Sequence, residues 1–261
     1  MAVTLVLANR KGGSGKTTSS INIADALARK GKKVLLLDFD SQAQATTSCG
    51  ILSHNLEMSV YELIHLMLNG RKVTNEISTT IIKGKKPFDI LPSKADLSAL
   101  EVEAGLLDGR ETLLKNLLLE IEAAYDYILI DLPPSLGFTT INGLVAANRL
   151  IIPMELTFLA MDGLAQMMGI LYRVNAELNP DLSLMGILPV KCDLRTNLAR
   201  SVAEEIRQNF GEERILCPVR NDIKLAEAPS FGETIFEYAI NCRGASDYGQ
   251  LGDLIISREG F

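Results

Sequence analysis

This chain has few cysteines, no long apolar run and no linker-like stretch, and each of these absences removes a class of protein. Cys49, Cys192, Cys217 and Cys242 lie far apart and form no C-x-x-C pair. That spacing fits reduced, mostly buried thiols in a cytosolic protein and offers neither a disulfide framework nor a metal centre. No segment approaches the roughly 18 unbroken apolar residues of a membrane span. Met1 leads almost directly into the strand-like VTLVLA, a pattern without the n-region and h-region of a secretory signal. No Pro/Gly/Ser-rich linker, fixed-period repeat or low-complexity tract divides the 261 residues, so the chain reads as one domain over 1–261. Its net charge of −6 argues against a surface that binds nucleic acid everywhere, and leaves room for a local basic patch.

What the chain does contain is a repeated alternation of short apolar runs and helical patterns. The strand candidates are 3–8, 33–39, 88–92, 127–131, 150–155, 184–190 and 214–219. They are rich in Val, Ile and Leu with little alternation, as expected when both faces of a sheet are covered. Helical patterns lie between them at 17–30, 98–124, 164–178 and 197–210, the first stopping at Gly31 and the last before Gly211. Alternating elements of this kind specify an α/β fold: a mostly parallel twisted sheet with helices on both faces.

Three motifs fall at the ends of those strands. The first is NRKGGSGKTT, residues 9–18, set between a strand and a helix. It ends like the phosphate-binding pattern G-x-x-x-x-G-K-[ST], yet Arg10 stands where that pattern has its first glycine, and an extra lysine, Lys11, follows. Gly12, Gly13 and Gly15 allow the backbone to curl so that its N–H groups, with those of Ser14 and Thr18, face phosphate oxygens. Lys16 then reaches the β- and γ-phosphates and Thr17 places its hydroxyl on Mg²⁺, which predicts ATP and Mg²⁺ as ligands. The second motif, LLLDFDSQ over 35–42, ends a strand in Asp38 and Asp40 at the sheet's carboxyl edge, where open α/β folds bind ligands. Asp40 is the candidate for orienting or activating water, or for holding Mg²⁺ through water; capping of the next helix is the alternative for both acids, and Asp38 has the weaker claim to a functional role. The third, YILIDLPPS over 127–135, has the form of a second acidic motif with Asp131 beside Mg²⁺.

KGGSGKTT (11–18), DFDSQAQATT (38–47) and IDLPPS (130–135) together resemble the three motifs of the ParA/MinD family, whose P-loop is the deviant form K-G-G-x-G-K-[ST]. RNDIKLAEAPSFGETIFEY (220–238) and CRGASDYGQL (242–251) are similar to the ParA branch, so the resemblance spans almost the whole chain. Ser41 and Gln44 stand where the family usually has Pro and Asn; neither change removes a functional group named above. The resemblance implies a P-loop ATPase that forms a homodimer with ATP, with Lys11 crossing to the partner's nucleotide as an arginine finger does. It implies the short type, without an N-terminal DNA-reading domain. It further implies sequence-independent DNA contact by the ATP-bound dimer at Arg195 and Lys224, and activation by a ParB-like or other adaptor with a basic segment. Such a protein is cytoplasmic, nucleoid-associated when ATP-bound, and moves a plasmid, chromosome or other cargo. The residues themselves add only a modest basic bias, seven Lys/Arg against six Asp/Glu over 191–224.

Three other readings share the fold. A MinD-like membrane regulator needs a C-terminal amphipathic helix with a basic face, but YGQLGDLIISREGF has two glycines, mixed charge and one arginine, and reads as packed on the domain. An iron–sulfur reductase needs paired cysteines, which the spacing does not give. A metabolite kinase or ligase would turn over a small molecule with no need of DNA or an activating protein.

Overall fold

The computed structural model describes residues 2–105 and 107–260. Six strands, β1 (Val3–Leu7), β2 (Val34–Asp38), β3 (Asp89–Leu91), β4 (Tyr127–Asp131), β5 (Arg149–Met154) and β6 (Ser183–Pro189), form one parallel sheet in the order β3-β2-β4-β1-β5-β6. Their side chains alternate between two apolar layers. Leu5, Leu7, Leu36 and Leu129 face one, and Val6, Leu35, Leu37, Ile128 and Ile130 face the other. Because both faces are dry, the strands read in sequence as unbroken aliphatic runs.

The first layer is closed by α1 (Lys16–Arg29), α2 (Gln44–Ser48), α11 (Ile235–Tyr238) and α12 (Arg243–Glu259). The second is closed by α3 (Val60–Leu68), α4 (Thr74–Thr80), α5 (Leu100–Ala104), α6 (Leu113–Leu119), α7 (Phe138–Ala146), α8 (Phe158–Glu177) and α9 (Asn197–Phe210). A single turn, α10 (Lys224–Glu227), precedes α11. The chain leaves β1 toward β2 and leaves β4 toward β5, in opposite directions along the sheet. Such a reversal opens a crevice at the carboxyl ends of β1 and β4, where open α/β sheets bind ligands.

Three expectations need correction. The segment 214–219 pairs with the edge strand through one isolated bridge, Ile187–Ile215, with a second, Cys192–Arg220, just past the ends of both, and does not form a seventh strand. Pro218 has no N–H to offer a ladder, which shortens any pairing there. The helical pattern over 98–124 is broken: Gly105 and Gly109 take left-handed φ values of 49° and 78°, which separate α5 from α6. The helix expected from 164 begins six residues earlier, at Phe158. The C-terminal segment packs as expected, with α12 burying Tyr248, Leu251 and Ile255 against the layer that holds α1. Among the described residues no helix is long and apolar enough to cross a membrane.

Candidate nucleotide site

Asn9, just past β1, starts the loop. Its Nδ2 donates to the Pro153 carbonyl at 2.7 Å and its Oδ1 accepts the Lys11 N–H at 3.0 Å, which ties the loop's entry to β5. Gly13 and Gly15 then take φ values of 71° and 82°, a region that penalises any Cβ. At Gly15 space is tight as well, since a Cβ there would lie 3.3 Å from Val190 Cγ2 and that side chain would have to give way. No side chain caps the first turn of α1, so its N-terminal amides and the positive end of its dipole are left for a ligand. Within the same cradle Ser14 Oγ is buried with no partner among the described residues, an orphaned donor that an oxyanion would satisfy.

Lys16 opens α1 and is buried beneath the loop. Burial lowers its pKa, and the carboxylates of Asp131 and Asp40 oppose that shift. Its ammonium has no hydrogen bond or ion pair among the described residues, so a desolvated cation faces the cleft. Asp131, fully buried at the end of β4, accepts from Thr17 Oγ1 at 2.7 Å and from Ser20 Oγ at 2.9 Å. Burial pushes its pKa up to about 6, with the two hydroxyls and Lys16 holding it lower than burial alone would.

Asp38 and Asp131 are register partners across β2 and β4. Burial, and then the charge of Asp131, push Asp38 up to about 7. Its Oδ2 accepts the Thr46 N–H at 2.8 Å and the Thr46 hydroxyl at 2.7 Å, and its Oδ1 accepts the Asp40 N–H at 3.2 Å. Asp38 therefore caps α2 from the strand and shapes the turn that presents Asp40; the capping alternative holds for it. Asp40 lines the cleft beside Gly12–Thr18, Gln42 and Gln44. One of its carboxylate oxygens accepts the Gln42 N–H at 3.0 Å, and its carbonyl accepts from Ser93 Oγ at 2.8 Å. The second carboxylate oxygen has no partner among the described residues and is free to hold water.

Thr17, Asp40 and Asp131 thus converge below the loop. Among the described residues no group of three His, Cys, Asp or Glu side chains is placed to hold a metal alone. That donor set suits Mg²⁺, which keeps waters and takes one or two protein oxygens plus substrate phosphates.

The other predicted residues lie outside the cleft. Lys11 is exposed, and its ammonium has no partner among the described residues, while the neighbouring Arg10 bonds Gln166 of α8. Arg195 is 90% exposed and paired with Asp193 at 2.7 Å. Lys224 is paired with Glu227 at 2.8 Å and lies over the Tyr238 ring. Sequence reasoning missed Thr46 and Ser93, whose hydroxyls fix Asp38 and Asp40, because a lone hydroxyl in a five-residue helix or a loop carries no pattern. It also missed Lys191, which lines the cleft from beyond β6.

A parallel sheet with a glycine loop at the crevice, a buried lysine and two strand-end aspartates defines a P-loop nucleotide-binding protein. Residues 2–184 match the family model described as an AAA domain. The chromosome-partitioning ATPase Soj of Treponema pallidum is 40% identical over 261 residues, 100% of this chain and 99% of its own length. The chromosome partitioning protein ParA of Caulobacter vibrioides is 36% identical over 257 residues, 98% of this chain and 94% of its own. Among solved structures, a Mycobacterium smegmatis protein described as cobyrinic acid a,c-diamide synthase, bound to an ATP analogue and magnesium, superposes with a TM-score of 0.83 at 32% identity, covering 100% of this chain and 98% of the other. The chain belongs to the ParA/Soj family of partition ATPases, within the wider ParA/MinD group.

Proposed function

We propose that this chain is an ATP-driven dimerisation switch that grips DNA without reading its sequence and lets go when a partner protein triggers hydrolysis. The carrying observation is the division of labour on one loop, with Lys16 buried under the cradle and Lys11 exposed and unpartnered. Lys16, stripped of water, stabilises charge on the β- and γ-phosphates of its own ATP. Lys11 points its charge outward, where a second copy's phosphates can meet it, as an arginine finger supplied in trans does. Thr17 and Asp131, with Asp40 through water, would hold Mg²⁺, which would supply neutralisation of the phosphate charge. Asp40 orients the attacking water with its free carboxylate oxygen.

Arg195 and Lys224 are the proposed DNA contacts. Arg195 is exposed and Lys224 half-exposed; both already hold carboxylates, and solvent-facing ion pairs are weak, so phosphates can displace Asp193 and Glu227 at small cost. Affinity gained this way is salt-sensitive and blind to sequence. The activator is an adaptor with a basic segment, matched to the chain's net charge of −6. The cargo is a plasmid, a chromosome or a protein complex carried over the nucleoid, and the chain works in the cytoplasm.

The test is Asp40→Ala. The variant should bind ATP and accumulate as a dimer while turnover falls by about a hundredfold or more. Normal turnover would remove Asp40 from the mechanism. A second reading, conversion of a metabolite, is favoured by the synthase description of the structural neighbour. It predicts ATP turnover that needs a small-molecule acceptor and is indifferent to DNA.

A further inference from the structure

Lys191 stands at the P-loop although no motif contains it. It follows β6 with a left-handed φ of 49°, a conformation that costs energy for any residue with a Cβ. Its Nζ donates to the Gly13 carbonyl at 2.9 Å and to Glu155 Oε1 at 2.9 Å. An ammonium carries three donors and these contacts use two, so one remains. The side chain is half exposed. Lys191 lines the cleft over Gly12–Thr18 and also a neighbouring cavity of about 740 Å³ bounded by Pro218, Arg220 and Asn221; it is the residue the two spaces share.

A nucleotide with its terminal phosphates on the P-loop must lead its α-phosphate and ribose into a second space that holds the base. On that path the α-phosphate would pass the junction of the two cavities, which Lys191 lines. We propose that Lys191 is a nucleotide-binding residue whose ammonium contacts the α-phosphate, an inference that rests on the nucleotide-site reading above. Glu155 keeps the ammonium at the junction and competes with the phosphate for it. The strained backbone fits this role, because the turn at Lys191 brings the side chain back over the loop and does not let it continue along the sheet.

The experiment is titration calorimetry with Mg²⁺ and ADP or ATP on the full chain. ADP and ATP share the α-phosphate, so Lys191→Met should weaken both by the same factor, about tenfold, as expected for one charge-assisted hydrogen bond. Lys191→Arg should restore most of the loss. Glu155→Gln removes the competitor and should leave binding as tight as wild type or tighter. If Lys191 only clamped the loop, Glu155→Gln and Lys191→Met would weaken binding together, and that result overturns the proposal. Unchanged affinity in a folded Lys191→Met does so too. If the wild-type chain binds neither nucleotide, the nucleotide-site reading itself fails; wild-type binding with an indifferent Lys191 leaves that reading standing.

Discussion

At the carboxyl ends of β2 and β4, Asp38, Asp131 and the nearby Lys16 are buried, whereas beyond β6 the charges of Asp193, Arg195, Lys224 and Glu227 stand in solvent. The same residue types behave differently in the two places. In the crevice, desolvation raises two carboxyl pKa values and lowers that of a lysine, and the ammonium is left without a direct partner. On the outer face each base is satisfied by an acid two or three residues away, and the hydrogen bond from Arg195 holds Asp193 down to about 2. Charge that has lost its water is poised to act on a phosphate, while charge paired in water is an exchangeable contact. On the proposed function, a chemical step belongs to the first region and reversible adhesion to the second.

Substitutions can break that contrast, and the largest effect should come from Lys11→Ala. This residue extends the buried site into solvent, so its loss should leave ADP binding intact but abolish the ATP-dependent dimer and lower stimulated turnover by about a thousandfold. Light scattering with ATP and a phosphate-release assay would read both, and a fully active monomer would show that the loop serves one chain alone. On the outer face, Arg195→Glu combined with Lys224→Glu should weaken retention on non-specific duplex by about tenfold or more at moderate salt. Retention with an unaltered salt slope would place the adhesive surface elsewhere. The smallest effect concerns Asp38. Its folded pKa lies near 7 and its unfolded value near 4, so the folded state keeps a proton that the unfolded chain releases between those values. Stability should therefore fall as pH rises through that window, by up to about 1.4 kcal/mol per pH unit from this group. Asp38→Asn should flatten that part of the slope in urea unfolding at pH 5 and pH 7.5; an identical slope would mean Asp38 is charged in the fold.

The contrast also explains what was legible beforehand. The P-loop, Asp40 and Asp131 could be read from sequence because strand, turn and helix chemistry put them in fixed local order. The roles proposed for Lys11, Arg195 and Lys224 rest only on family resemblance, since nothing in such a lysine or arginine states its partner. The role of Asp38 stayed open because its ligand, Thr46, lies eight residues on and belongs to a five-residue helix too short to leave a periodic trace. Lys191 was invisible for a related reason: its partners Gly13 and Glu155 come from other strand ends, and only the sheet order brings the three together. The fold was readable to the level of its parallel sheet. It failed at 214–219 and within 98–124, where Pro218, Gly105 and Gly109 overrode an apolar pattern.

The bed beneath the P-loop helix has a consequence for which parts of the chain the site needs. Ser19 bonds the Tyr248 hydroxyl at 2.9 Å, Asn22 accepts the Ile235 N–H at 2.8 Å, and Asp25 accepts from Thr234. The helix that carries the P-loop lysine is thus held by residues 209 to 229 positions further along the chain. Contacts so distant in sequence form late and slowly. A chain cut between β6 and α11 would carry all three nucleotide motifs yet lack the platform that holds α1, so the site depends on a segment that contributes none of its motifs.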